Sequence, residues 1–256
     1  MSGQTWRGRH VAILGATSAI AEETARLLAA DGANLALVAR SSERLAAIAA
    51  DLRIRGAGAV VTRLCDLVET PPSEAFFNDL AGELGGLDVV LIAHGVLGDQ
   101  SAAEHAPDEA VRLIDANFVS AAGWALAAAQ VLERTSGSQG VVAAIGSVAG
   151  DRGRASNFVY GAAKGGLGIL MQGMAHKAAL RGGPRAVIFK LGFVDTPMTA
   201  SLPKGGPLWA TPDAVARVIV KGLSGDSAIV YGPWFWRYIL LVIRFLPERV
   251  FSRINL

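Results

Sequence analysis

His10-Val11-Ala12-Ile13-Leu14-Gly15-Ala16-Thr17-Ser18-Ala19-Ile20-Ala21 decides how this chain folds. A short apolar strand runs into a turn of glycine, alanine and hydroxyl residues, which leads directly into a long helical pattern. That succession is the setting in which a tight turn and a helix N-terminus can cradle the pyrophosphate of a dinucleotide. Gly15 permits close backbone approach, and Thr17, Ser18 and the amides near Ile20 supply donors to phosphate oxygens.

The alternation continues outward. Strands are predicted at 10–14, 34–39, 59–64, 87–92, 140–146, 185–190 and 228–231. Helices are predicted at 18–31, 42–55, 73–84, near 108–134, 158–181 and 212–224. Strands that are apolar throughout, such as Val89-Val90-Leu91-Ile92, suit a sheet covered on both faces. The expected fold is α/β, a Rossmann-type doubly wound parallel sheet in a single domain. Residues 1–232 form its body, and 233–256 are an apolar, arginine-bearing tail helix of the same domain. Right-handed crossovers put a ligand at the carboxyl ends of the strands, where Gly15, Asp66, Gly95, Ser147 and Gly192 fall.

One constellation carries chemistry. Tyr160 and Lys164 are separated by one helical turn and share a face, and Ser147 ends the apolar run Val141-Val142-Ala143-Ala144-Ile145-Gly146. An ammonium beside a phenol favours the ionised phenol, which makes Tyr160 a proton donor. A serine at a strand terminus can hold a carbonyl oxygen. The three together suit carbonyl reduction, although a Tyr-x-x-x-Lys spacing by itself is also that of a solvated surface pair.

Composition agrees with one enzyme domain. The 256 residues are 52% hydrophobic and only 18% charged, which implies a large core and further apolar surface that something must cover. A net charge of +2, with basic residues dispersed, does not suggest nucleic acid. The single cysteine, Cys65, excludes an internal disulfide and reads as a buried thiol at a strand end. Arg7 to His10 lead at once into a short strand, without the long apolar stretch of an export signal, so a cytoplasmic start is expected. No metal site is expected.

With both motifs in order, the chain resembles the short-chain dehydrogenase/reductase family over residues 8 to 232. The resemblance implies an NAD(P)H-dependent reductase with Ser147, Tyr160, Lys164 and Asn117 as catalytic residues, Asn117 holding a water on the path to Lys164. It implies a cofactor site of Gly15, Thr17, Ser18, Ala19, Ile20, Asp66, Leu67, Ala93, Gly95, Tyr160, Lys164, Gly192, Val194 and Thr196. Lys164 would bind the nicotinamide ribose, and Val194 and Thr196 would contact the nicotinamide amide. It also implies a dimer or tetramer with the helices at 108–134 and 158–181 as contact faces. Departures from the family pattern are Ala19 and Ala21 in place of glycines, Ala93-His94-Gly95 in place of an asparagine-bearing segment, and Leu191 in place of a proline. Arg40, with Ser41 and Ser42, stands where an acidic residue would accept from a ribose hydroxyl, which favours NADP(H) over NAD(H). His94 offers a proton donor that Tyr160 and Lys164 make unnecessary. Asp66 reads either as a neighbour of the adenine or as a cap. Residues 199–210, with Pro203, Gly205, Gly206 and Pro207, read as a lid.

The tail adds Trp234-Phe235-Trp236-Arg237-Tyr238-Ile239-Leu240-Leu241-Val242-Ile243-Arg244. Its longest unbroken apolar run is far short of the roughly 20 residues a membrane span needs. Arg237 and Arg244 share a face, as on a helix lying on anionic lipid; the same pattern also suits a helix covering a core or a subunit interface. The tail, Ala93-His94-Gly95-Val96-Leu97-Gly98-Asp99 and the stretch 150–161 resemble one branch of the family, the decaprenylphosphoryl 2-keto-erythropentose reductases. That likeness implies a lipid-linked ketosugar substrate, with Arg152 and Arg154 placed for its phosphodiester or, equally, solvated in a loop. The alternatives are a general ketoreductase of small ketones, steroids or acyl chains, and a non-catalytic dinucleotide-binding regulator.

Overall fold

A computed structural model describes residues 5–254. In chain order the first half comprises β1 (His10–Leu14), α1 (Ala19–Ala30), β2 (Asn34–Ala39), α2 (Ser42–Ile54), β3 (Val60–Leu64), α3 (Glu74–Leu84), β4 (Val89–Ile92), α4 (Gln100–His105) and α5 (Pro107–Ile114). A π-helical turn, Asp115–Val119, joins α5 to α6 (Ser120–Thr135). There follow β5 (Val141–Ser147), α7 (Phe158–Arg181), β6 (Arg185–Leu191), β7 (Phe193–Val194), β8 (Trp209–Ala210), α8 (Pro212–Leu223), β9 (Ile229–Gly232), α9 (Trp236–Phe245) and α10 (Glu248–Phe251).

Seven strands form one sheet in the order β3-β2-β1-β4-β5-β6-β9, every pairing parallel. Both faces of the interior strands are covered, which is why β1, β2, β4 and β5 carry no polar alternation, whereas the edge strand β3 alternates in exposure. Against one face pack α1, α2 and α8, with Leu28, Leu35, Leu52, Phe189 and Ile219 in the core. Against the other pack α3, α6 and α7, with Phe77, Leu80, Trp124 and Met171. The strand order reverses between β1 and β4, and the crevice at their carboxyl ends is where a doubly wound sheet binds ligand.

Local sequence explains the element ends. Ser18 caps α1 by accepting from the Ala21 amide at 3.2 Å, and Gly85 closes α3 in a left-handed conformation at φ 88°. Three expectations are corrected. The helix predicted near 108–134 is two helices joined by the π turn at Asn117, and it is preceded by α4, capped by Asp99, in a segment for which no element was predicted. The 193–194 and 209–210 segments pair as a small second sheet that anchors both ends of the 199–210 segment. The tail is two short helices, α9 and α10, of which α9 buries Trp236 and Leu240 against Val148 and leaves Tyr238, Leu241, Val242 and Phe245 exposed. Covering a core therefore accounts for one face of the tail only. Among the described residues no helix is long and apolar enough to cross a membrane.

Candidate active site

A cavity of about 460 Å³ opens at the carboxyl ends of β1, β4, β5 and β6. Its walls include Thr17 to Ile20, Ala93 to Gly95, Asn117, Ser147, Arg154, Tyr160, Lys164, Gly192, Val194 and Thr196. A second cavity of about 190 Å³, walled by Gly15, Arg40, Cys65, Asp66, Leu67 and Val96, shares Thr17, Ser18, Ala93, His94 and Gly95 with the first. The two together make one groove, running from Arg40 past the N-terminus of α1 to Tyr160. Nearly all the residues expected from sequence are therefore brought together.

The Ser147 turn and the Tyr160 helix are built on each other. Ser147 Oγ accepts from the Ala149 amide at 3.1 Å, which leaves its hydroxyl proton to face the Tyr160 oxygen at the cavity wall. Beyond it, a 3-10 turn, Val148–Asp151, packs on α7, where Gly161 and Gly165 lie against the Ala149 and Gly150 carbonyls. The turn ends at Asp151, whose buried carboxylate is ion-paired to Lys190 and accepts from the Tyr231 hydroxyl at 2.7 Å. None of these three anchoring residues was singled out from sequence.

Lys164 is buried, and its ammonium donates to the Ile145 carbonyl at 3.1 Å. Burial lowers its pKa to about 8. Burial also pushes the Tyr160 phenol up to about 12, opposed by the neighbouring Ser147 hydroxyl. The expectation that Lys164 draws the phenol towards ionisation is thus not met here: Nζ lies 5.9 Å from the ring centroid and is directed at a backbone carbonyl. Tyr160 stays protonated across the physiological range, which is the form a proton donor requires.

Asn117 is buried and its side chain is tied to the backbone around it. Its amide protons go to the Val96 and Leu113 carbonyls at 2.8 and 2.9 Å, and its Oδ1 accepts from the Val96 amide at 3.2 Å. It clamps the end of β4 in place. A Cβ on Gly95 would stand 2.6 Å from Asn117 Oδ1 and 3.2 Å from Lys164 Nζ, so the glycine is what lets this clamp and the lysine meet.

Burial lowers the His94 pKa to about 4, so the ring is neutral and supplies no acid. Ser120 donates to the Leu67 carbonyl at 2.6 Å and so accepts from His94 Nε2, 3.0 Å away. His94 Nδ1 is then an acceptor, buried and without a partner among the described residues, at the junction of the two cavities. Asp66 closes the turn after β3 as well as walling the groove. Its carboxyl is held below the usual range first by the Val68 amide, with the Glu69 amide and the Arg40 guanidinium adding to it.

A dinucleotide fits this groove on the structure's own terms. A Cβ at Gly15 would lie 2.6 Å from the His94 amide nitrogen, so only glycine closes the turn, and the amides of α1 open onto the cavity. Ala21 packs into the core rather than lining the groove. Arg40 is largely exposed at the outer end, 3.6 Å from Asp66. Arg44, not anticipated from sequence because it reads as a surface helix residue, donates to the Thr17 carbonyl at 2.7 Å and adds a second cation to the wall. Gly192 has another reason for being glycine, since a Cβ there would fall 1.9 Å from Trp236 Nε1.

Arg152 is the clear correction. Its guanidinium donates to the Ile243 carbonyl, to the Leu246 carbonyl at 2.8 Å and to Glu248 at 3.1 Å, and lies 3.8 Å from the Phe251 ring centroid. It fastens the tail and does not line the cavity, whereas Arg154 does.

A parallel doubly wound sheet with Ser147, Tyr160 and Lys164 at its switch-point crevice is the architecture of a short-chain dehydrogenase. This chain belongs to that family, which it matches over residues 9–206, and it is an NAD(P)-dependent oxidoreductase acting on CH–OH or keto groups. It is 37% identical over 244 residues to an uncharacterised oxidoreductase of Mycobacterium tuberculosis, covering 95% of this chain and 96% of that protein. An uncharacterised oxidoreductase of Streptomyces coelicolor is 35% identical over 249 residues, covering 96% of each. The solved actinorhodin polyketide ketoreductase with NADPH shares the fold at a TM-score of 0.77 and 24% identity, covering 90% of this chain and 97% of that one.

Proposed function

We propose that the protein is an NAD(P)H-dependent ketoreductase whose catalytic residues are Ser147, Tyr160 and Lys164. The observation that carries this is the placement of all three on one cavity, with the Ser147 hydroxyl beside a neutral Tyr160 phenol. A bound reduced nicotinamide supplies the hydride. Ser147 donates a hydrogen bond to the substrate carbonyl oxygen and stabilises the negative charge that develops there. Tyr160 passes its proton to that oxygen. Lys164, held by Ile145, presents its remaining protons to the ribose hydroxyls and to the phenolate left behind. Asn117 serves by fixing Gly95 and Val96 against Lys164. Val194 and Thr196 hold the carboxamide, and Arg40 with Arg44 favours a phosphate-bearing ribose, hence NADP(H).

For the ketone itself, two readings have support. The three stretches similar to decaprenylphosphoryl 2-keto-erythropentose reductases, together with the exposed apolar face of α9 flanked by Arg237 and Arg244, favour a polyprenylphosphoryl 2-keto-pentose reduced by a cytoplasmic enzyme resting on the membrane. The size of the cavity and its walls of Leu97, Phe193, Met198 and Leu202 favour a compact free ketone. NADPH and NADH oxidation with the lipid-linked keto-pentose beside a panel of simple ketones separates them. Tyr160→Phe tests the shared chemistry: turnover of every ketone should fall by roughly 10³-fold or more while NADPH binding, titrated by fluorescence, stays within threefold. Undiminished turnover would overturn the assignment.

A further inference from the structure

Arg152 and Arg154 look equivalent in sequence, but the structure separates them. Arg152 is fully engaged by the tail, whereas Arg154 lines the reacting cavity and its guanidinium has no hydrogen bond or ion pair to any described residue. The other charges on the cavity wall are already served. Glu22 is paired to Arg26 at 2.5 Å, Arg44 donates to the Thr17 carbonyl at 2.7 Å, and Lys164 donates to the Ile145 carbonyl at 3.1 Å. No side-chain anion is left for Arg154, and burial alone depresses its guanidinium.

Arg154 is half-buried, so its guanidinium reaches the cavity without a counter-charge, and its planar fork matches an oxyanion bidentately. The pyrophosphate of a dinucleotide would lie against the N-terminus of α1; Arg154 belongs to the segment between Ser147 and Tyr160, on the substrate side. Close by, the buried Asn157 Oδ1 is an acceptor without a partner among the described residues. Building on the ketoreductase reading, we propose that the ketone reduced here carries an anionic group, a carboxylate or a phosphate ester, which Arg154 binds while Ser147 and Tyr160 hold the carbonyl. Asn157 accepts from a hydroxyl or amide of the same molecule. Because carbonyl and anion share one chamber, Arg154 sets both the affinity for the substrate and which of its ketones faces Tyr160.

The test uses the full chain and one cyclohexanone frame bearing a carboxylate, its neutral methyl ester, or a phosphate ester. Wild-type kcat/KM should favour at least one charged ketone over the ester by tenfold or more, and the ratio between carboxylate and phosphate identifies which anion the site takes. Arg154→Gln should lower kcat/KM for the preferred charged ketone by roughly 30- to 100-fold, mostly through KM, leave the ester within threefold, and leave the NADPH dissociation constant unchanged. Arg154→Lys should recover part of the loss. An ester reduced as well as both anions, or an equal loss for all three in the Gln variant, overturns the proposal. Should no ketone turn over, the ketoreductase reading fails separately. The anion site then stands or falls on whether inorganic phosphate or acetate raises the melting temperature of the NADP-saturated wild-type protein and not that of Arg154→Gln.

Discussion

Gly150 and Gly165 touch so closely that a Cβ built on the first would stand 2.5 Å from the amide nitrogen of the second. Through this contact the turn that follows Ser147 lies directly on the helix that carries Tyr160 and Lys164. Neither backbone can retreat easily, because Asp151 is held by Lys190 and Tyr231 and the early turns of α7 pack on β5 and β6.

Gly150→Ala should therefore separate Ser147 from Tyr160. Overpacking of this kind costs roughly 1–3 kcal/mol in stability, and a displacement near 1 Å at the reacting groups lowers turnover by about 10²-fold. Cofactor affinity, set mainly by β1, α1 and β4, should change less than threefold. A variant with wild-type kcat and a lowered melting temperature would show that the contact serves stability alone.

Lys164 gives a pH dependence of definite sign. Its folded pKa of about 8 lies below its ordinary 10.5, so between these values the unfolded chain holds a proton that the folded chain lacks. Stability contributed by this group therefore rises with pH through that window, and its full unfavourable effect, roughly 3 kcal/mol, is present below about pH 8. The raised Tyr160 pKa acts in the opposite direction only above its ordinary value of 10.0. Urea midpoints of wild type and Lys164→Met, compared at pH 7 and pH 9.5, should show the stability of wild type gaining on the variant as pH rises. A gap independent of pH would mean that Lys164 is not the group responsible. The variant should have little or no turnover at either pH.

The alternating strands and helices were legible because a sheet covered on both faces needs strands that are apolar throughout, and Ser147, Tyr160 and Lys164 were legible because strand terminus and helical spacing fix their relative placement. What escaped reading depends on contacts remote in sequence. Lys190 reads as a stray charge in an apolar strand until Asp151, on another strand's exit turn, is placed beside it. The π turn at Asn117 adds a residue without disturbing the apolar pattern on either side, so 108–134 reads as one helix. Arg152 and Arg154 share spacing and type, and only tertiary packing sends one to the tail and the other to the cavity. Gly192 reads as a residue for close cofactor approach, although the atom that would collide with its Cβ belongs to Trp236.

Arg40 sits largely exposed at the outer end of the groove, with Asp66 its only carboxylate neighbour in ion-pair range among the described residues. A ribose 2′-phosphate there would compete for the guanidinium and gain a charge-assisted, bidentate contact. Arg40→Ala should raise KM for NADPH by about tenfold, leave KM for NADH within threefold, and become indistinguishable from wild type as salt is raised, since an exposed pair is screened. Equal effects on both nucleotides would assign Arg40 to stacking on adenine and remove the argument for NADP(H).

Arg152 ties the tail to the active-site turn. It donates to two backbone carbonyls and a carboxylate of the tail and stacks on Phe251, and its neighbour in sequence, Asp151, is the buried anchor of the turn that follows Ser147. Replacing it leaves the Ile243 and Leu246 carbonyls without their donor in a partly buried place, a loss of roughly 1–3 kcal/mol. Arg152→Gln should therefore accelerate amide hydrogen exchange in 239–251 by tenfold or more while amides of β1, β4 and β5 remain as protected as in wild type. Because Trp236 and Leu240 still pack on Val148, α9 should stay docked at its first turn and loosen towards α10, so exchange should rise along the tail from 239 to 251. Uniform loosening of the whole tail would instead mean that the Trp236 contact depends on Arg152, and no change in exchange would mean that the apolar face of α9 alone holds the tail in place.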